Sequence, residues 1–371
     1  MESIAGMLDE TNDWKVVTSF LPEGWEDKAR ELGALRRCRR FRSAEPLLRT
    51  LMIHLADGCS LRETAVRAKY GGIAEISDVA LLKRLKASGE WLRWMTEGIM
   101  ERWVGEKPSA NLGKDLNLRI IDGSSIQEPG STGSSWRIHY SIQLPSLQCD
   151  EVHVTSPKVG ESFERFAVHS GDLFLADRGF AKCEGIKHVV DNGGDVLVRI
   201  GLVSLRLTEK DGDAFQLLAR LRTLAGTSLG DWDVWISQGE RLIPGRICAI
   251  KKNKQAIARA QKKARRDSNR KGQRIRPETL EAAEYTFVFT TLDRRFDAGM
   301  ILEMYRRRWQ IELVFKRLKS IIGLGHLKKT DQETSKAWIN GKLLVAFLVE
   351  ALILAGERFF PWGYPLREEV S

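Results

Sequence analysis

The sequence lacks paired cysteines. Its five, Cys38, Cys59, Cys149, Cys183 and Cys248, are scattered singly with no C-x-x-C, which argues for reduced structural thiols and against a disulfide framework. The six histidines form no H-x-x-x-H or Cys/His cluster, so a zinc centre is not expected. The phosphate-binding loop G-x-x-x-x-G-K-[ST] is missing, and with it the expectation of a nucleotide cofactor. Gly323 and Gly325 begin a G-x-G, but they follow a helical stretch and the third glycine is absent. Apolar runs are short. The longest, Leu343 to Gly356, has 14 residues and contains Glu350, and it reads as a buried helix with no membrane role. The opening MESIAGMLDETNDW is acidic and carries no apolar signal core, so a cytoplasmic location is expected.

With 371 residues, 43% of them apolar, and only 10 prolines, the chain has the composition of a folded protein of two or three domains and not of a disordered one. Its net charge of +10 is localised. Of the 59 basic and 49 acidic residues, 12 and 1 respectively fall between Lys251 and Arg276, so the remainder is slightly acidic. A solvated helix face is the bland account of such a run. Its internal position between strand-like segments favours an arm along a phosphate backbone, where neutralised phosphates release counterions. Lys251, Lys252, Lys262, Lys263, Arg265 and Arg266 are its candidate contacts. A smaller cluster, Arg36 to Arg42, precedes a helical region and is compatible with the same role.

Residues 1–110 read as helical. The stretch from Pro46 to Ala56 has helical spacing, Ser60-Leu61-Arg62-Glu63 is a capping box, and Ser77-Asp78 caps a third helix through Leu81, Leu85 and Leu92. Short helices with tight glycine turns predict a DNA-binding helix–turn–helix-like module, a pattern that any small helical bundle shares. Beyond Pro108 the texture changes. An alternating strand ends at Asp122, a hairpin spans Trp136–Gln143 and Gln148–Thr155, a buried strand ends at Asp177, and a helix leads to a strand at Val196–Ile200. This predicts an α/β mixed sheet flanked by helices over 111–200. Residues 201–292 read as a β-rich insertion carrying the basic arm 251–276, and 293–371 as helices.

The stretch Met300–Ile322 carries the sharpest pattern. At about 100° per residue, with Tyr305 at 0°, Arg308 falls at about −60°, Glu312 at about −20° and Lys319 at about −40°. Four polar side chains thus share one stripe of a helix whose other sides, including Trp309, are apolar and expected to be buried. An i,i+4 ion pair between Arg308 and Glu312 is the bland reading. The sharper one adds two aspartates at strand ends, where open α/β sheets place ligand sites. Asp122, Asp177 and Glu312 together would supply hard oxygen ligands for Mg²⁺ or Mn²⁺, and two such ions about 4 Å apart suit in-line phosphoryl transfer.

At these residues the chain resembles the DDE transposases of bacterial insertion-sequence family 4, whose signature Y-x2-R-x3-E-x6-K stands as Tyr305, Arg308, Glu312 and Lys319. The D-R-G-[FY] motif stands as Asp177-Arg178-Gly179-Phe180, and Asp122 lies in Ile-Ile-Asp-Gly-Ser-Ser. The resemblance implies a ribonuclease H-like catalytic domain. In it Asp122, Asp177 and Glu312 are catalytic metal ligands for two divalent ions, while Tyr305, Arg308 and Lys319, with Arg178 beside the second acid, grip DNA. It further implies cut-and-paste transposition at terminal inverted repeats, a hairpin intermediate, and a homodimer on paired ends. An aromatic of the insertion would stack on a flipped base, with Trp232, Trp235 and Tyr285 as candidates. Two other functions compete: a catalytically silent transposase descendant that only binds DNA, and a ribonuclease H-like nuclease that cuts branched DNA.

Overall fold

A computed structural model describes residues 13–36, 40–104, 116–127, 135–238, 241–270, 272–325, 327 and 331–359. Six helices open it: α1 (Asp13–Ser19), α2 (Trp25–Glu31), α3 (Ala44–Leu55), α4 (Leu61–Tyr70), α5 (Asp78–Ala87) and α6 (Gly89–Val104). Ser60 Oγ accepts from the Glu63 amide at 3.1 Å, but the Glu63 carboxylate turns to Arg67 at 2.8 Å, so half of the expected capping box forms. Ser77 caps α5 through the Ala80 amide. The third expected helix is two, because the chain turns at Ser88 between α5 and α6. Within the Arg36–Arg42 cluster, residues 37–39 lie outside the described residues, Phe41 is fully buried, and Arg36, Arg40 and Arg42 are exposed.

The remaining elements are β1 (Asn117–Ile126), β2 (Trp136–Gln143), β3 (Cys149–Thr155), β4 (Asp172–Ala176), α7 (Cys183–Asp191), β5 (Asp195–Arg199), β6 (Leu207–Thr208), α8 (Leu217–Arg222), β7 (Leu229–Gln238), β8 (Arg241–Lys251), α9 (Lys254–Arg270), α10 (Pro277–Ala282), β9 (Tyr285–Thr290), α11 (Ala298–Arg306), α12 (Trp309–Ser320) and α13 (Gln332–Phe359). The nine strands form one sheet in the order β3-β2-β1-β4-β5-β9-β8-β7-β6. Its first five strands have the ribonuclease H-like arrangement: β3, β2 and β1 antiparallel, then β1, β4 and β5 parallel. All five residues of β4, Asp-Leu-Phe-Leu-Ala, are buried, as a parallel strand covered on both faces requires.

One apolar core unites the N-terminal helices, α11, α12 and α13 on one face. A second fills the other face around Phe163, Phe174, Phe180 and Phe289. Helix α13 packs against α6, α5 and α3. Its stretch Gln332–Gly356 is long and apolar enough to cross a membrane, but 61% of the apolar 18-residue segment within it is buried inside the protein, as in a core helix. The four strands β6 to β9 of residues 201–292 do not stand apart. Strand β9 pairs antiparallel with β5 and prolongs the central sheet. The basic run is largely helical: α9 takes up 17 residues of it.

Candidate active site

Strands β1 and β4 run parallel with Cα partners up to Ile121 and Ala176, so the next residue on each, Asp122 and Asp177, leaves the pair side by side. Strand β4 ends there, as its sequence predicts. Strand β1 does not end at Asp122: its ladder with β2 continues to Ile126 and Trp136, because the antiparallel partner is longer than the parallel one. Each aspartate is oriented by a following glycine amide. Gly123 N–H donates to Asp122 Oδ1 and Gly179 N–H to Asp177 Oδ1, both at 2.7 Å. Burial pushes the Asp122 carboxyl up to about 7, with Asp177 and Glu161 adding to the rise and the Gly123 amide and Arg308 opposing it. This is the electrostatic state of an acid short of cationic compensation.

The expected single helix over 300–322 is two. Between α11 and α12 the amides of Arg307, Arg308, Gln310 and Ile311 bond the carbonyls three residues back, Met304, Tyr305, Arg307 and Arg308. That tightens the turn and moves later residues off a uniform 100° stripe. The stripe is therefore split. Tyr305 remains among charged groups; burial raises its phenol pKa, Arg308 and Arg199 oppose this, and Asp177 adds to it. Burial works against the Arg308 charge, but Tyr305, Glu312 and Asp122 hold its pKa above the ordinary value. The Lys319 pKa is lowered by burial and opposed by Asp122, which brings this lysine into the field of the first acid. Trp309, expected to be buried, is 42% exposed beside Arg308.

Glu312 is not gathered with the two aspartates. It is exposed, with its Oε1 2.5 Å from Arg308 Nη2, while Arg308 Nη1 lies 3.7 Å from Asp122 Oδ2. One guanidinium thus separates the first and third acids. Among the described residues no three His, Cys, Asp or Glu side chains are clustered closely enough to hold a metal ion. Asp122 and Asp177 fit a hard divalent cation as oxygen donors. Glu312 fits only on giving up its pair with Arg308.

The family-profile comparison decides the family. The profile described as "Transposase DDE domain" matches residues 155–348, a span that takes in Asp177, Tyr305, Arg308, Glu312 and Lys319 and leaves Asp122 outside. InsL of insertion sequence element IS186A from Escherichia coli strain K12 is 32% identical over 361 residues, 94% of this chain and 96% of that protein. The chain belongs to the DDE transposases of bacterial insertion sequences. The transposase for IS421 of Escherichia coli is also 32% identical, over 94% of this chain and 96% of its own length. That for IS231F of Bacillus thuringiensis subsp. israelensis is 27% identical, over 88% and 76%. A solved piggyBac transposase synaptic complex with hairpin DNA superposes with a TM-score of 0.45 at 10% identity, over 93% of this chain and 74% of that one, too loosely to define the fold.

The basic residues of this transposase divide into two groups. Lys262, Lys263, Arg265 and Arg266 are exposed on α9, whose other side approaches α10 through Gln261. Lys251 and Lys252 are engaged inward. Lys251 lies 3.7 Å from Glu284 and over the Tyr285 ring. Lys252 Nζ donates to the Ala283 carbonyl at 2.7 Å, and burial, then Arg199, lowers its pKa to about 8. The Arg178 side chain runs beside Gly201. Of the aromatic candidates, Tyr285 is 4% exposed and belongs to the core. Trp232 is half-buried against Phe215, and Trp235 is half-buried.

Two site residues escape the sequence reading. Arg199 ends β5 beside Tyr305. Glu161 lies in the loop between β3 and β4 with its carboxyl pKa raised by burial and then by Asp177, against Arg137 and Lys182. The signal for Glu161 is the glycine that closely follows each aspartate, since a glycine can mark a place where another group approaches the backbone.

Proposed function

We propose that this transposase is catalytically competent and performs cut-and-paste transposition with Asp122, Asp177 and Glu312 as its metal-binding acids. The observation that carries the reading is the side-by-side exit of Asp122 and Asp177 from parallel strands, with a cation, Arg308, already drawn between Asp122 and Glu312. Mg²⁺ or Mn²⁺ held there, two ions per site, would activate the attacking oxygen and stabilise the leaving one.

The protein's own groups position the DNA. Arg308 moves from the acids to a phosphate, which its planar fork binds through two parallel hydrogen bonds, and frees Glu312 for the ion. Tyr305 and Lys319 hold neighbouring phosphates, and Arg178 acts beside Asp177. Water hydrolyses one strand at the element end and frees a 3′-OH. That hydroxyl attacks the opposite strand to give a hairpin, and after the hairpin is opened it attacks target DNA. Each step exchanges one phosphodiester for another or for water, so no nucleotide is consumed.

In this reading residues 1–110 bind DNA and 111–200 begin the catalytic domain. Residues 201–292 carry the arm, and 293–371 supply the catalytic helices. Terminal inverted repeats and target DNA are the partners, a homodimer holds the paired ends, and the protein works in the bacterial cytoplasm at the nucleoid. The test is Mg²⁺-dependent cleavage of an element-end duplex. Asp122→Asn, Asp177→Asn and Glu312→Gln each abolish cleavage while end binding persists. Normal cleavage by Glu312→Gln removes it from the metal set, and normal cleavage by both aspartate variants supports a silent DNA-binding protein with a contaminating nuclease.

A further inference from the structure

A fourth carboxylate lies over the two glycines that orient the aspartates. A Cβ built on Gly123 would stand 2.9 Å from Glu161 Oε1, and one on Gly179 would stand 1.8 Å from Glu161 Oε2 and 3.5 Å from Asp177 Oδ1. Real Cβ atoms do not approach an oxygen at 1.8 Å, so a side chain at 179 would push the Glu161 carboxylate aside. The two oxygens of Glu161 therefore lie over the peptide units whose amides hold Asp122 and Asp177.

An ordinary structural glutamate in a half-buried place is neutralised by a cation. Two cations are near and lower its pKa through their charge, but both direct their hydrogen bonds to backbone carbonyls. Lys182 Nζ donates to the Glu161 carbonyl at 2.6 Å, and Arg137 Nη1 donates to the Val159 carbonyl at 3.2 Å. These bonds fasten the loop at the main chain. Among the described residues none makes a hydrogen bond or ion pair with the Glu161 carboxylate. A half-buried carboxylate without a hydrogen-bond partner is costly, and the other charged groups acting on it are the acids Asp177 and Asp122.

We propose that Glu161 is the second carboxylate, beside Asp177, of the divalent ion bound by the DNA-free protein, while Glu312 is held away by Arg308. This rests on the reading of Asp122, Asp177 and Glu312 as a cation site. The carboxylates of Asp177 and Glu161, both near a Cβ built on Gly179, are hard oxygen donors that would hold such an ion with water completing its shell. Glu161 then keeps the ion in place until DNA draws Arg308 off and Glu312 joins.

The experiment is Mn²⁺ binding to the full chain without DNA, read as the electron paramagnetic resonance signal of free Mn²⁺ during titration. Glu161→Gln weakens binding about tenfold, the lower end of the range for altered groups around a metal, and Asp177→Asn weakens it as well. Gly179→Ala, whose methyl displaces the carboxylate, reproduces the Glu161→Gln loss, and the double variant adds nothing further. Wild-type Mn²⁺ affinity in both folded Glu161→Gln and Gly179→Ala overturns the proposal and leaves the Asp177 assignment standing. Unchanged affinity in Asp177→Asn overturns the cation site itself.

Discussion

Arg308 holds Glu312 at 2.5 Å and turns its other terminal nitrogen toward Asp122 at 3.7 Å. A charged fork bridging two acids occupies the place that the proposed mechanism gives to a divalent cation, and on that proposal loss of the arginine acts in opposite directions on two observables. In Arg308→Gln, Mn²⁺ binding to the DNA-free protein strengthens by roughly three- to tenfold, about 0.7 to 1.4 kcal/mol on the affinity scale. On the proposed role of Arg308 as a phosphate ligand, element-end cleavage falls at the same time. Arg308→Lys does not restore cleavage, since an ammonium cannot span two acceptors as a guanidinium does. Parallel changes in the two measurements would count against the bridging role.

The pH dependence of stability follows from Asp122. Its carboxyl, raised to about 7 from an ordinary 3.8, keeps a proton in the folded chain that the unfolded chain has released. Between those values the native state binds more protons, so stability falls as pH rises from about 4 to 7 and then levels off. His139, buried and lowered to about 3, has the opposite slope, losing stability as pH falls below its unfolded value. The comparison must therefore be made against Asp122→Asn. In metal-free buffer the variant's melting temperature gains on the wild type between pH 5 and pH 7.5, and the gap closes when Mn²⁺ is added. A constant difference across that range contradicts the assignment.

Salt dependence separates the two sets of basic residues. Replacing Lys262, Lys263, Arg265 and Arg266 on the exposed side of α9 by alanine lowers the slope of log K against log salt by about 3 to 4, at about 0.9 per phosphate contact. Lys251→Ala and Lys252→Ala instead lower the melting temperature and leave the slope nearly unchanged, because Lys251 pairs with Glu284 and Lys252 donates to the Ala283 carbonyl. Gel-shift titrations across a salt series distinguish the outcomes, and an unaltered slope in the four-fold variant removes α9 from the DNA interface.

How far the sequence could be read depends on the range over which each feature is determined. Strand limits at Trp136–Gln143 and Tyr285 and the caps at Ser60 and Ser77 are local, set by alternation and by one hydroxyl each, and they were legible. The continuation of β1 past Asp122 depends on the length of its partner β2. The break at Arg307–Arg308 depends on packing that no periodicity records. Glu161 was invisible because the acids it approaches come from other strands, and only the glycines at 123 and 179 hinted at it. The basic run was legible as charge but not as a helix, since α9 has no buried residue.

A buried charge network fixes β1 beneath the site and offers a stability test separate from chemistry. Arg119, 2% exposed, pairs with Asp150 at 2.5 Å, Glu151 at 3.0 Å and Asp172 at 2.9 Å. Arg119→Met leaves three carboxylates without their shared cation and costs about 3–5 kcal/mol, read as a loss in the urea midpoint at constant m. A cost below about 1 kcal/mol would show that the acids neutralise by taking protons instead.

The most direct test of the three-acid site is the anomalous diffraction of Mn²⁺ in crystals of the transposase with an uncleaved element end. The account predicts manganese peaks bonded at about 2.1 Å to Asp122, Asp177 and Glu312, with Arg308 moved onto a phosphate. Manganese bound elsewhere, or Glu312 still paired with Arg308 while the DNA end is seated, would contradict it.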